Sequence, residues 1–357
     1  MRIAIVNDVA LAREGLRRLI RASEGHEVAW TAGTGAEAVA RCAQDLPDLV
    51  LMDLIMPEMD GVQATHAIMS ATPCPILIVT ASVDQNTAMV FEAMGNGALD
   101  AVNTPLLAGK HADDGRRALL EKIAVIGMLT GAAPSTPSAR QVAHGRQQPQ
   151  GIGPCLLTIG ASSGGPQALA ELLAGLPQDF GGAVVIVQHV DAQFAPGLAQ
   201  WLDGQCALPV RLARQGDRPA PGEVLIAGTN EHLVMLPDGV LDYSARPDDS
   251  PYRPSVDVFW HSVNLHWDGE VTAVLLTGMG RDGARGMLEL RDRGAHTIAQ
   301  SRDSCAVFGM PRAAIEMGAA VSVQPLADIA AAVRGEVSSP AVSVAPPGID
   351  GGPENEF

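Results

Sequence analysis

Short apolar runs, each closed by a polar residue, recur along this chain with helix-patterned stretches between them, and that alternation restricts the architecture severely. In the first third, Ile3-Ala4-Ile5-Val6 runs into Asn7-Asp8 and Asp48-Leu49-Val50-Leu51-Met52 into Asp53. Ile76-Leu77-Ile78-Val79 likewise runs into Thr80, and Leu99-Asp100-Ala101-Val102 into Asn103-Thr104-Pro105. Between them, Leu11 to Arg21 carries Leu16, Leu19 and Ile20 on one helical face, and Thr87 to Met94 carries Met89, Val90, Ala93 and Met94. Strands apolar on both faces, alternating with amphipathic helices, predict an α/β doubly wound parallel sheet. The pattern returns later in Cys155-Leu156-Leu157-Thr158-Ile159, Ala183-Val184-Val185-Ile186-Val187-Gln188 and Val271-Thr272-Ala273-Val274-Leu275-Leu276-Thr277, which predicts a second such sheet.

Open sheets of this kind assemble their sites beyond the carboxyl ends of the strands. Ser162 stands there, in Gly160-Ala161-Ser162-Ser163-Gly164-Gly165, ahead of the helix beginning at Gln167. Small neighbours permit a sharp turn, and the helix start offers free N–H groups to a developing oxyanion, so the segment reads as a nucleophile elbow or else as a phosphate-cradling glycine turn. A serine hydroxyl needs a positioned base. His189 and Asp282 follow the strands at 183 and 271, on the same edge, which makes a triad geometrically available. Taken singly, His189 reads as a satisfied strand-end histidine and Asp282 as the N-cap of the helix Gly283 to Leu288. Gly278, Gly280 and Gly283 also spell a G-x-G-x-x-G, with Asp303 downstream, so a dinucleotide-binding loop is a rival reading.

The segments Ile159 to Gly165, Gln188-His189, Arg253-Pro254-Ser255-Val256-Asp257-Val258, Leu276 to Gly283 and Val307-Phe308-Gly309-Met310-Pro311-Arg312 resemble the CheB chemoreceptor methylesterases, in the family's order, across residues 153 to 337. That resemblance implies Ser162 as nucleophile, His189 as its base and Asp282 as the residue orienting the histidine. It implies methyl esters of chemoreceptor glutamates as substrate, methanol as product and receptor glutamine deamidation as a second activity, with no cofactor for the ester step. Backbone N–H groups near Ser163 and Met279 are the candidate oxyanion donors, and Arg253 is expected beside the site. The alternatives are a non-catalytic module that docks on receptor or kinase, and the dinucleotide reading.

Leu51-Met52-Asp53-Leu54-Ile55-Met56-Pro57-Glu58-Met59-Asp60-Gly61 resembles a flavodoxin-like response-regulator receiver. The resemblance implies Asp53 as phosphoryl acceptor, Asp8, Asp53 and the Ile55 carbonyl as Mg²⁺ ligands, and Thr80 as the hydroxyl that senses the phosphoryl group. A CheA-type histidine kinase is the implied phosphodonor and a methyl-accepting chemoreceptor the implied substrate. Two positions depart from the receiver pattern: Asn7 stands where an acid is usual, and Thr104 where a lysine precedes the proline. The amide lowers the charge offered to a cation, and Thr104 supplies no ammonium. The opening Met1 to Asp8, with Phe91 to Gly95 and Gly97 to Pro105, is similar to the Wsp-type branch, which implies output towards a diguanylate cyclase.

Length and composition accommodate this organisation. A chain of 357 residues that is 47% hydrophobic can fill two cores. The expected divisions are a receiver over 1–127, a Pro-, Ser-, Gln- and Gly-rich linker over 128–152, a catalytic domain over 153–337 and a disordered tail over 338–357. Forty acidic against 24 basic residues give a net charge of −16, which opposes nucleic acid and anionic membrane surfaces. No apolar span fits a bilayer and no leader is visible, so a cytoplasmic protein without membrane insertion is expected. Five scattered cysteines, with no C-x-x-C, predict reduced and mostly buried thiols, and the spacing of His232, His261, His266 and His296 forms no metal set. Phe259 and Trp260 are read as packing residues.

Overall fold

The computed structural model describes residues 1–81, 86–105, 112–130, 155–248, 250 and 252–336. The first unit alternates β1 (Arg2–Val6), α1 (Ala10–Ala22), β2 (Glu27–Ala32), α2 (Gly35–Gln44), β3 (Leu49–Met52), α3 (Gly61–Ala71), β4 (Ile76–Thr80), α4 (Thr87–Gly95), β5 (Asp100–Asn103) and α5 (Ala112–Thr130). Its five strands are parallel in the order β2-β1-β3-β4-β5. Ile3, Ile5, Leu49, Leu51, Leu77 and Val79 pack one face against α1 and α5, while Ala4, Val6, Val50, Met52, Ile76 and Ile78 pack the other. Burial on both faces is why these strands read as unbroken apolar runs. The helix α5 continues past residue 127, and residues 131–152 of the expected linker, like the expected tail over 338–357, lie outside the described residues.

The second unit comprises β6 (Leu156–Ala161), α6 (Gly165–Ala174), β7 (Ala183–Gln188), α7 (Ala195–Asp203), β8 (Val210–Leu212), β9 (Val224–Ile226), β10 (His232–Met235), β11 (Leu241–Ser244), α8 (Val256–His266), β12 (Val271–Leu275), α9 (Ala284–Asp292), β13 (His296–Gln300), α10 (Met310–Glu316), β14 (Ser322–Gln324) and α11 (Leu326–Val333). Seven strands form a parallel sheet in the order β14-β13-β12-β6-β7-β9-β8. The chain therefore leaves β6 in one direction through β7 and in the other through β12, and the crevice for a ligand opens between those strands. The antiparallel pair β10-β11 stands apart from the sheet and packs on α8, where the Met235 N–H donates to Ser262 Oγ at 2.9 Å. Trp260 and Phe259 are fully buried, and Trp260 Nε1 donates to Thr158 Oγ1 at 2.8 Å beneath the sheet. No helix among the described residues is long and apolar enough to cross a membrane. All five cysteines are free; Cys42 and Cys74 are buried, whereas Cys155, Cys206 and Cys305 are only half-buried, against the expectation of mostly buried thiols.

The two units meet through α4, which lies on α6 and α7. Phe91 stacks on Trp201 with ring centroids 6.2 Å apart, and Gly95 lets the indole approach: a Cβ there would stand 3.2 Å from the ring. At Gly197 the fit is closer still, because an added Cβ would fall 1.6 Å from Thr87 Cγ2. The glycine is thus a condition of the contact. Gly197→Val is expected to part α4 from α7, seen as amide hydrogen exchange at least about tenfold faster across 87–95 and 195–203, and Thr87→Gly in the same chain is expected to restore protection. Unchanged exchange in the single variant would contradict this account of the interface.

Candidate active site

Ser162 follows β6 on a turn whose backbone is bonded from three directions. Its N–H donates to the Thr277 carbonyl at 3.0 Å, and its carbonyl accepts from the Gly165 N–H at 2.8 Å and from Gln188 Nε2 at 2.9 Å. Gly164 caps α6 with φ +74°, a left-handed conformation, and a Cβ there would stand 2.5 Å from Ala306 Cβ. Parallel register pairs Ala161 with Gln188, so Ser162 and His189 leave adjacent strands side by side. The His189 N–H donates to the Ala161 carbonyl at 3.0 Å.

His189 Nε2 lies 2.7 Å from Asp282 Oδ2, with the histidine side chain 13% and the carboxylate 2% exposed. An ionised carboxylate only accepts, so Nε2 carries the proton and Nδ1 holds the lone pair left for another partner. The Tyr252 ring lies flat on the imidazole, with centroids 4.8 Å apart and planes 9° from parallel. Ser162 Oγ makes no hydrogen bond among the described residues. Such bonds commonly close only when substrate is bound.

Asp282 does not cap the helix immediately after it. Gly283, at φ +87°, is the N-cap of α9 and has no side chain of its own to cap it. The carboxylate instead sits over the start of α8, accepting from Ser255 Oγ at 2.7 Å, the Val256 N–H at 2.6 Å and the Asp257 N–H at 3.0 Å. Asp257 reciprocates by accepting from the Gly286 N–H of α9 at 2.7 Å. Burial pushes the Asp282 carboxyl up, but hydrogen bonds from His189, Asp257 and Ser255 outweigh it and hold the group below its ordinary value. His232, buried beneath, accepts from the Ser255 N–H at 3.2 Å with Nδ1, and its Nε2 lies 3.2 Å from the Pro247 carbonyl.

The glycine loop between β12 and α9 is filled by protein, which removes the dinucleotide reading. A Cβ on Gly278 would stand 2.3 Å from Met310 Sδ and 2.8 Å from Ser162 Cβ; one on Gly280, 2.0 Å from the Tyr252 hydroxyl; one on Gly283, 2.7 Å from Leu275. Among the described residues, the Ser163 and Met279 N–H groups donate to no protein acceptor. Arg253 turns to Asp248, donating to its carbonyl at 2.9 Å with the carboxylate at 3.7 Å. The side chain of that segment in contact with His189 is its neighbour Tyr252. Tyr252 and Ser255 are the residues the sequence reading passed over, although Ser255 stands inside the Arg-Pro-Ser run; Thr277, which donates to the Ser163 carbonyl at 3.0 Å, is a third.

In the first sheet, Asp8 and Asp53 follow β1 and β3, on either side of the point where strand order reverses. Asp53 is 8% exposed; Oδ1 accepts from the Leu54 N–H at 2.7 Å and Oδ2 from Asn7 Nδ2 at 2.7 Å. Burial first, and the Asp8 charge besides, push its carboxyl up to about 6 against the Leu54 and Ile55 amides. Two carboxylates repelling one another at a strand switch fit a divalent cation, with a carbonyl completing the protein's share. No group of three or more His, Cys, Asp or Glu that could hold a metal occurs among the described residues. Thr80 is buried and its Oγ1 accepts from Asn86 Nδ2 at 3.3 Å, immediately before α4.

Comparison with known proteins identifies the family of both units. Residues 157–333 match the family model of the CheB methylesterase, and residues 3–110 that of the response regulator receiver domain. A protein-glutamate methylesterase/protein-glutamine glutaminase of Burkholderia thailandensis is 56% identical over 330 residues, covering 92% of this chain and 96% of that protein. One of the group 3 operon of Pseudomonas putida is 54% identical over 331 residues, covering 92% and 97%. The crystal structure of the Thermotoga maritima CheB methylesterase catalytic domain aligns with a TM-score of 0.48 at 33% identity, covering 52% of this chain and all of that one. With such identity sustained along nearly its whole length, this chain belongs to the CheB methylesterase family and carries that family's receiver domain.

Proposed function

We propose that this protein hydrolyses glutamate γ-methyl esters on methyl-accepting chemoreceptors in the cytoplasm, releasing methanol, and that a CheA-type kinase regulates it through Asp53. The observation that carries the reading is the 2.7 Å His189–Asp282 pair on the strand next to Ser162. Ser162 Oγ attacks the ester carbonyl as His189 Nδ1 takes its proton; the imidazolium then protonates the departing methoxide. Water repeats the sequence on the acyl-enzyme and leaves a carboxylate. The unpaired N–H groups of Ser163 and Met279 are suited to the tetrahedral oxyanion. The proton passes between serine, imidazole and leaving group while the Asp282 carboxylate stays ionised, so no cofactor is invoked for this step. An amide in place of the ester, with ammonia leaving, gives receptor glutamine deamidation by the same route. The −16 net charge supports a protein partner over nucleic acid.

For the receiver, Mg²⁺ neutralises charge on the transferring phosphoryl group. Asp8, Asp53 and the Ile55 carbonyl would hold it, Asp53 accepts the phosphoryl group and Thr80 answers to it. The Thr80–Asn86 bond leads into α4, which rests on α6, the helix that starts three residues after Ser162. This supports a reading in which the receiver in its resting state restrains the esterase edge, and phosphorylation shifts the population towards a released arrangement.

Methanol release from methylated receptor tests the esterase reading: Ser162→Ala is expected to lose about 10⁴-fold or more in kcat, and Asp282→Asn to lose heavily with KM little changed. Turnover that survives Ser162→Ala refutes it. At the receiver, Asn7→Asp replaces the 2.7 Å donor with a second buried carboxylate. It is expected to destabilise the metal-free protein by about 2 kcal/mol and to regain that stability as Mg²⁺ is added, by thermal unfolding with and without the cation.

Asp257 tests the electrostatics around Asp282. Burial pushes its carboxyl up to about 6 from 3.8, helped by the Asp282 charge and opposed by the Gly286 N–H. A raised carboxyl holds its proton more tightly in the folded state, so stability is lost as pH climbs through 3.8 to 6. Asp257→Asn escapes that loss: denaturant unfolding is expected to show it more stable by about 2 kcal/mol at pH 8, with the gain shrinking towards pH 5.

A further inference from the structure

We infer that Tyr252 is a positioning residue for the esterase, fixing the plane of the His189 ring through a parallel, offset stack; the inference rests on the triad proposed above. The bond to Asp282 holds the imidazole at Nε2 alone. One hydrogen bond leaves the ring free to turn, and turning would redirect Nδ1, the nitrogen proposed to take the Ser162 proton. Ser162 Oγ cannot stop that rotation, because it makes no hydrogen bond in the resting structure. The Tyr252 ring can: its plane lies 9° from that of the imidazole with centroids 4.8 Å apart, so any turn of the histidine drives an edge into the phenol.

Tyr252 is itself held from two sides. Its backbone is folded back on Ser250, whose Oγ donates to the Tyr252 carbonyl at 3.0 Å and accepts from the Tyr252 N–H at 3.4 Å. Its hydroxyl rests over Gly280, where φ is +83° and a Cβ would stand 2.0 Å from the oxygen and 3.0 Å from Cζ. Gly280 is therefore the bare spot that admits the ring. The loop that delivers Asp282 thus also seats the residue that orients the histidine from its face. Nothing in this arrangement requires the hydroxyl to react, and the flat of the ring, already covered by His189 on one side, is what the chemistry uses.

The experiment measures kcat and KM separately for methanol release from methylated receptor by the full chain, alongside the ring-proton NMR shifts of His189. Tyr252→Leu is expected to lower kcat about three- to tenfold with KM within about twofold, and to abolish the ring-current displacement of the His189 signals. Tyr252→Phe is expected to rescue both. Gly280→Ala, which keeps the phenol but pushes it off its seat, is expected to lower kcat in the same direction and keeps the test alive if the leucine variant does not fold. A raised KM with unchanged kcat in Tyr252→Leu would mean that the ring contacts the receptor, and overturns the inference. So would a phenylalanine variant as slow as the leucine, or a leucine variant at full kcat. Turnover persisting in a parallel Ser162→Ala sample would instead strike at the triad, leaving a distinct signature.

Discussion

The carboxylate of Asp282 is the joint on which the candidate active site depends. It accepts from an imidazole 93 residues away in sequence, from a serine hydroxyl and from two backbone amides, and it does so with its side chain 2% exposed. An isolated charge at that depth would cost several kcal/mol. Here the start of α8 points its free N–H groups and the positive end of its dipole at the charge, and the histidine supplies a fourth donor. The same feature that makes burial tolerable keeps the group ionised, which is the state the proposed mechanism places against an imidazolium.

Much of this is legible in the chain because parallel strands covered on both faces have no choice but to be apolar, and because the loops at their carboxyl ends must form the site edge. Ser162, His189, Asp282, Asp8, Asp53 and Thr80 all stand as the first polar residues beyond such runs or in the loops after them. The partners of Asp282 are not legible in that way, since a helix cap contributed from 26 residues downstream leaves no local spacing to read. Proximity in sequence assigns that carboxylate to the helix beside it, whereas Gly283 at positive φ turns the chain so that the carboxylate serves α8. In the Tyr252-Arg253 pair the charge draws attention to Arg253, but a guanidinium finds its own carboxylate at the surface and the neutral ring reaches the histidine. The β10-β11 pair has strands of four residues each, too short for periodicity to register.

Asn7 shows the converse. Its identity announces that one negative charge is missing from the proposed phosphorylation site, yet only the structure shows what replaces it: an amide hydrogen bonded straight to Asp53. A donor there occupies an oxygen that a second carboxylate would have repelled, so the Asp53 carboxyl is held in place by a neutral contact. The two sheets repeat one design, with the candidate site residues at a reversal of strand order, and α4 of the first unit is the element that rests on the second. It begins one residue after Asn86, the partner of Thr80, and ends against Trp201 and Gln167.

The crossed arrangement at the starts of α8 and α9, where Asp282 serves the first helix and Asp257 the second, ties their fates together. Fraying of either end withdraws an acceptor from the other, so the pair opens as one cooperative segment instead of unravelling turn by turn. Such an opening would scatter the histidine's partner while most of the parallel sheet stayed intact. If the proposed triad is the site, competence is then governed by the free energy of a local event that can precede global denaturation.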